Sequence, residues 1–254
     1  MKFILSVALA LTLSGAAQAA TPLELYEQGK YDAAVAAGRA QNDAPGFATA
    51  ARSELAMEAM GDTRCLDCIL HAQDDARKAI AANPKYSDGH VFLAVALGRE
   101  GRLLSAFTVL QKGYPSKAKA ELDAAIAANP SNARAWAALG GWNIELVRKG
   151  GATMARVMYG ASLENGIAAF DKAFALARDN IGVCYQYALT FSSFDVDSYR
   201  AKIEDALVQS QDDKPMGVYE VFAQARAKEL LAALKKGDMN AYAALVARDQ
   251  GSSK

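Results

Sequence analysis

The sequence predicts an all-α chain: a helical-repeat α-solenoid with additional helices at its C-terminal end. Three observations carry this. Alanine, the strongest helix former, dominates the composition, and there are only six prolines in 254 residues. Runs of Val, Ile and Thr of the kind that build strands are absent. A hexapeptide also repeats: Ala79-Ile80-Ala81-Ala82-Asn83-Pro84 returns 46 residues later as Ala125-Ile126-Ala127-Ala128-Asn129-Pro130. A degenerate third copy, Ala173-Phe174-Ala175-Leu176-Ala177-Arg178, follows 48 residues after the second. Self-similarity at this period signals stacked helix pairs that cannot bury their apolar faces alone.

The chain opens with a leader. Lys2 is a short basic start, and Phe3 to Leu13 is apolar except at Ser6 and Thr12. Small residues then stand at cleavage spacing in Ala17-Gln18-Ala19. This is the pattern of a secretory signal peptide, with a cut expected after Ala19, and the apolar run is too short to span a bilayer. The expected destination is the periplasm or the exterior. Residues 1–19 are therefore read as leader, 20–192 as helical repeats, and 193–254 as C-terminal helices with a short polar tail.

Helices are expected over 22–28, 31–41, 46–60, 64–82, 87–99, 102–112, 116–128, 132–148, 152–159, 163–177, 181–192, 197–210, 215–235 and 239–249. Gly29, Gly61, Asn83-Pro84, Gly101, Gly113-Tyr114-Pro115, Asn129-Pro130, Gly150-Gly151 and Gly237 read as stops. Thr63, Ser87, Asp197 and Asp238 read as starts, because their side chains can accept from otherwise unpaired backbone N–H groups.

The logic of one unit is visible around the second copy. Ala118, Leu122 and Ala125 fall at spacings of four and three, one stripe of a helix, and Pro130 ends it. Trp136 is expected to be buried where units meet, and Gly140 to let a facing helix come close. Trp-x-x-Leu-Gly, then small-x-x-x-large-x-x-Ala, then Pro resembles the tetratricopeptide repeat (TPR) pattern. Equivalent stripes are Ala72, Ala76 and Ala79 with Pro84, and Gly166, Phe170 and Ala173 without the proline. Gly29-Lys30-Tyr31-Asp32-Ala33-Ala34 resembles the turn of a further unit. The period exceeds the roughly 34 residues of a standard TPR, because extra half-units lie at 101–113 and 148–160. From about Ala79 to Arg178 the chain resembles the regulator-of-microtubule-dynamics type of TPR-like proteins. Leu93-Ala94-Val95-Ala96, the Ala-Ile-x-x-Asn-Pro turn, Leu139-Gly140-x-Trp142 with Glu145, and Phe170-x-x-Ala173 carry that resemblance. It implies a TPR-like fold and a scaffolding role. It does not imply a microtubule role for an exported protein.

Charge and motifs narrow the function. Lys and Arg number 28 and so do Asp and Glu, so overall charge gives no reason to expect nucleic acid or an anionic membrane as partner. Outside the leader no apolar stretch is long enough to cross a membrane. Cys65-Leu66-Asp67-Cys68 can be a local structural disulfide, a reduced thiol pair or a redox centre. It lacks the βαβ context of thioredoxin-like motifs, and a single pair is a poor zinc site. Cys184 and His90 stand where Trp136 stands in their own units and read as packed side chains; His71 lacks partners for a metal. No phosphate loop, nucleophile elbow or zinc helix occurs. No catalytic residue, metal or cofactor is assigned, and the chain is read as a non-enzyme.

The first helices of TPR units line a concave groove. In register with the second unit, its rows are Asp88, Val91 and Val95; Arg134, Ala137 and Gly141; and Gly182, Tyr185 and Leu189. Mostly small and apolar, they suit an apolar or helical segment of a protein or peptide partner. The alternatives are a structural or assembly role with the groove filled by the chain's own C-terminal helices, through Tyr219, Phe222, Leu230, Leu231 and Leu234, and a small lipid-like ligand.

Overall fold

The computed structural model describes residues 19–61, 65–177 and 180–250. Most of the leader, Thr63 and Arg178 lie outside them. Among the described residues every regular element is a helix. In order they are α1 (Pro22–Glu27), α2 (Tyr31–Gln41), α3 (Ala44–Met60), α4 (Leu66–Ala82), α5 (Ser87–Leu103), α6 (Ala106–Gln111), α7 (Tyr114–Ala128), α8 (Ala133–Gly150), α9 (Ala152–Tyr159), α10 (Leu163–Leu176), α11 (Ile181–Asp212), α12 (Val218–Lys236) and α13 (Met239–Asp249). None of the described helices is long and apolar enough to cross a membrane.

The helices pack as consecutive antiparallel pairs. α3 lies against α2 and α4, α5 against α7, α8 against α10, and α11 against α12. Successive first helices also touch: α3 meets α5, α5 meets α8, and α8 meets α11. Small residues set the approach. A Cβ at Gly140 would stand 2.5 Å from the Phe170 ring, and one at Gly38 would collide with the Gly46 carbonyl oxygen. The apolar stripe of Ala118, Leu122 and Ala125 is buried, as is that of Ala72, Ala76 and Ala79.

The Asn-Pro turns are alike in detail. Asn83 Oδ1 accepts from the Lys85 N–H at 2.9 Å, and Asn129 Oδ1 from the Ser131 N–H at 3.1 Å. Each turn's proline carbonyl is then satisfied from six residues on. His90 Nε2 meets Pro84 O at 2.9 Å, and Trp136 Nε1 donates to Pro130 O at 2.9 Å. Repeat-equivalent positions thus do one job with different side chains. That job keeps Trp136 half-buried, short of the full burial expected, because its indole N–H must reach a turn at the surface.

Three local signals are read differently by the structure. α5 runs through Gly101 and ends at Leu103. Its last turn is held from outside: Arg99 donates to the Leu55 carbonyl at 2.8 Å, and Glu100 accepts from Gln73 at 2.6 Å. Such anchors outweigh the roughly 1 kcal/mol helix penalty of a glycine. Ser87 does not cap its own helix. Its hydroxyl donates to the Ala125 carbonyl and accepts from Asn132, joining α5, α7 and the start of α8. α11 is continuous except for a bend at Asp195, where φ is −164° and ψ is 89°. Asp195, not Asp197, accepts the Ser198 N–H that starts the second stretch.

Two large cores result. One gathers Phe47, Leu55, Ile69, Val91, Phe92 and Leu97 from α3, α4 and α5. The other gathers Phe170, Tyr187, Phe191, Leu230, Leu234 and Tyr242 from α10 to α13.

Candidate binding groove

The residues expected to form three concave rows are carried by α5, α8 and α11. Val91, Ala137, Tyr185 and Leu189 are buried, while Asp88, Val95, Arg134, Gly141 and Gly182 are half-buried. Asp88 and Arg134 face each other across the α5–α8 seam at 3.6 Å, and Asn132 donates to Asp88 at 2.8 Å.

The C-terminal helices lie beside these rows. α12 packs along α11 and also touches α1 and α3. Its entry is fitted to the first turn of the chain: a Cβ on Gly29 would meet the Val218 side chain at 2.9 Å, and one on Gly217 would meet the Glu27 backbone at 2.9 Å. Gly29 has φ +74°, so its left-handed turn and the lack of a side chain are both used. Tyr219 packs on the small core of Tyr26, Tyr31, Ala34 and Ala56. The array therefore curls until its last units meet its first.

Charges from distant elements converge where they meet. Arg52 of α3 stands 4.1 Å from the centre of the Tyr26 ring, a cation–π geometry. Burial, and then the charge of Arg52, pull Arg134 below the usual arginine range, against Asp88, Tyr26 and Glu220. Burial raises the Tyr26 hydroxyl well above the ordinary tyrosine value, partly offset by Arg52. On α11, burial and then the Asp249 carboxylate raise Tyr185 further still, with Tyr219 and Arg226 also in reach. Asp249 itself pairs with Arg248 at 2.6 Å.

Cys65 and Cys68 are joined by a disulfide with Cα atoms 5.2 Å apart. Cys65 Sγ also accepts the Cys68 N–H and so caps α4. His71 stands 3.6 Å from Glu54, His90 Nδ1 meets Glu121 at 2.6 Å, and Cys184 is buried. Among the described residues no group of three His, Cys, Asp or Glu side chains is placed to hold a metal ion.

Sequence reasoning missed Arg52, Tyr26 and Glu220. The repeat register covers only α5, α8 and α11, and nothing local to α1, α3 or α12 indicates that they meet across the array.

A family model described as Regulator of microtubule dynamics protein 1-3 matches residues 35–193, from α2 into α11. No curated protein matches by sequence. Among solved structures, a thermophilic TPR protein of Thermus thermophilus matches with a TM-score of 0.54 and 20% identity. That match covers 82% of this chain and 93% of the other, and at this identity it speaks for the fold.

Proposed function

The chain belongs to the Regulator of microtubule dynamics protein 1-3 family, and from that premise we propose that it is an exported protein–protein interaction or scaffold module, not an enzyme, whose concave groove is occupied by its own helix α12. TPR-like arrays act through extended surfaces. The observation that carries the groove reading is the seating of α12: it lies on α11, and its first residues, Gly217 and Val218, press on Glu27 and Gly29. Partners then meet the outer surfaces of the array. The leader pattern supports export, which sets aside the microtubule role in the family's name.

A charge at Tyr185, which is 7% exposed, tests the groove. If α12 fills it, Tyr185→Glu must lower the thermal midpoint sharply or prevent folding, because a carboxylate would be trapped in a dry contact. A variant that folds normally but loses a cross-linked partner from periplasmic extract would instead favour an open groove that receives an apolar segment. N-terminal sequencing tests export: the recovered chain should begin at Ala20, and intact Met1 in the cytosol would sink that part of the reading.

A further inference from the structure

α13 is the last described helix, and one turn joins it to the array. Gly237 is left-handed there, with φ +75°, and Asp238 caps the helix by accepting from the Ala241 N–H at 3.0 Å. α13 packs on α11 and α12. Rotation at that single turn would carry it away with every other helix left in place.

α13 covers part of the third row. Tyr242, Val246 and Gln250 stand at intervals of four, one stripe of the helix, and Tyr242 and Val246 are its buried residues. The Tyr242 hydroxyl bonds to Ser192 Oγ at 2.6 Å. Gln250 Nε2 donates to the Leu189 carbonyl at 2.8 Å and meets Ser193 Oγ. The Asp249 carboxylate bears on the Tyr185 hydroxyl. Tyr185, Leu189 and Ser192 fall at spacings of four and three on α11, so one helix stripe lies on another.

The two C-terminal helices are held differently. α12 is anchored by Ala223, Ala227, Leu230 and Leu234, all fully buried. α13 hangs on two buried side chains and on polar bonds that water can replace. Its seat is also imperfect. Among the described residues one buried side-chain polar atom completes no hydrogen bond, and it is Asp249 Oδ2, on a side chain 2% exposed. Burying an acceptor without a donor costs free energy, and that cost is relieved when α13 leaves.

We propose that α13 is an intramolecular stand-in for a protein ligand, and that it yields its place on α11 to an amphipathic helix of a partner. That helix presents an aromatic hydroxyl, a branched aliphatic side chain and an amide at i, i+4 and i+8, as α13 does. The bonds at Tyr242 and Gln250 stand about 12 Å apart along the helix, a span that suits a second helix better than a small molecule. The inference rests on the reading of the chain as a protein-interaction module and adds which surface is regulated. α12 stays seated, so the surface opened is the C-terminal end of the array.

A labelled peptide of residues 238–250, added to the chain from Ala20 onward and followed by fluorescence anisotropy, tests it. Two variants set the position of α13. Tyr242→Ala with Gln250→Ala removes its anchors. Ser193→Cys with Gln250→Cys, joined by a bifunctional maleimide, fixes it in place. The peptide should bind the first about tenfold or more tightly than the second, and a peptide carrying Tyr242→Ala should bind neither. If the first variant lacks the wild-type circular dichroism spectrum, the wild type replaces it in the comparison. Equal binding to the free and the fixed chain, or no binding to either, would overturn the proposal. So would amide hydrogen exchange in which α13 of the wild type exchanges no faster than α12. Neither variant changes a residue of α12, so failure here leaves the groove reading to be decided by Tyr185→Glu.

Discussion

The two halves of the array hold together by different means. In the N-terminal half, charges are buried between helices. Arg39 of α2 reaches Glu54 of α3 at 3.0 Å and Asp75 of α4 at 2.7 Å, so one guanidinium ties three helices. Arg99 pairs with Glu58, and Glu100 accepts from Gln73 and, at 3.3 Å, from Lys112. In the C-terminal half, aromatic rings take that place. Phe170 meets Tyr187 edge-on at 5.1 Å, Tyr187 meets Phe191 at 4.4 Å, and Phe191 meets Tyr199 at 4.6 Å. The comparison teaches that the repeat prescribes where helices lie and leaves open what joins them. Rings add apolar burial and so add stability. Buried ion pairs add little net stability but penalise any arrangement that separates them.

The aromatic half should give the largest effect. Phe170 is fully buried against Gly140 and two other rings, so Phe170→Ala should cost about 3–5 kcal/mol in urea unfolding. A loss under about 1 kcal/mol would break the idea that this stack is the strong half.

The charged half should respond less. Asp75→Ala leaves Arg39 with Glu54 alone. The Asp75 side chain is 1% exposed but that of Arg39 is 39% exposed, so water screens part of the loss. The expected cost is about 2 kcal/mol, below the roughly 3–5 kcal/mol of a fully buried broken pair. A cost equal to that of Phe170→Ala would erase the contrast between the halves.

The disulfide also lies in the N-terminal half, but it closes a loop between residues only three apart. Replacing both Cys65 and Cys68 by Ser should cost about 2 kcal/mol or less, because so short a loop restricts the unfolded chain little. If the pair were catalytic, Cys65→Ser would instead abolish disulfide exchange with glutathione.

The smallest effect is a pH dependence, and it sharpens the reading of the buried charges. Burial raises Glu54 above the ordinary carboxylate value, although His71 and Arg39 oppose it. Its folded form holds its proton longer than the unfolded chain does, so this residue makes stability fall as pH rises through that window. Glu100 is the reverse case. Burial would raise it, but hydrogen bonds from Tyr114, Gln73 and Lys112 win and hold it below the ordinary value. Its stabilisation is present above the ordinary carboxylate pKa and is lost as pH falls through the folded value. Urea midpoints across the acid range should therefore shift in opposite senses for Glu54→Gln and Glu100→Gln. Shifts of the same sign would mean that one of the two environments is misassigned.

Much of the fold was legible from local signals. The Asn-Pro turns, the Ala118–Leu122–Ala125 stripe and the left-handed glycines at 29, 113, 151 and 237 each specify structure within a few residues. The misplaced end at Gly101 and the misassigned role of Ser87, whose helix does begin where expected, share one cause. A partner far away in sequence, Leu55 and Gln73 for the end of α5 and Ala125 and Asn132 for Ser87, outweighed the local signal. The sequence reading placed its three rows on α5, α8 and α11 and offered the C-terminal helices as one occupant, but that α12 reaches back to α1 and α3 was not legible.

Sequence alone determined that this chain is all helix, where its repeats turn, and which small residues let its helices approach, because those are properties of segments a few turns long. Tertiary structure alone decided that α12 returns to α1 and α3, and that Arg52, Arg134 and Glu220 come within electrostatic reach of one another. These depend on the angle accumulated from one helix pair to the next. Each pair adds a small rotation, and only the sum over all of them determines which distant surfaces meet.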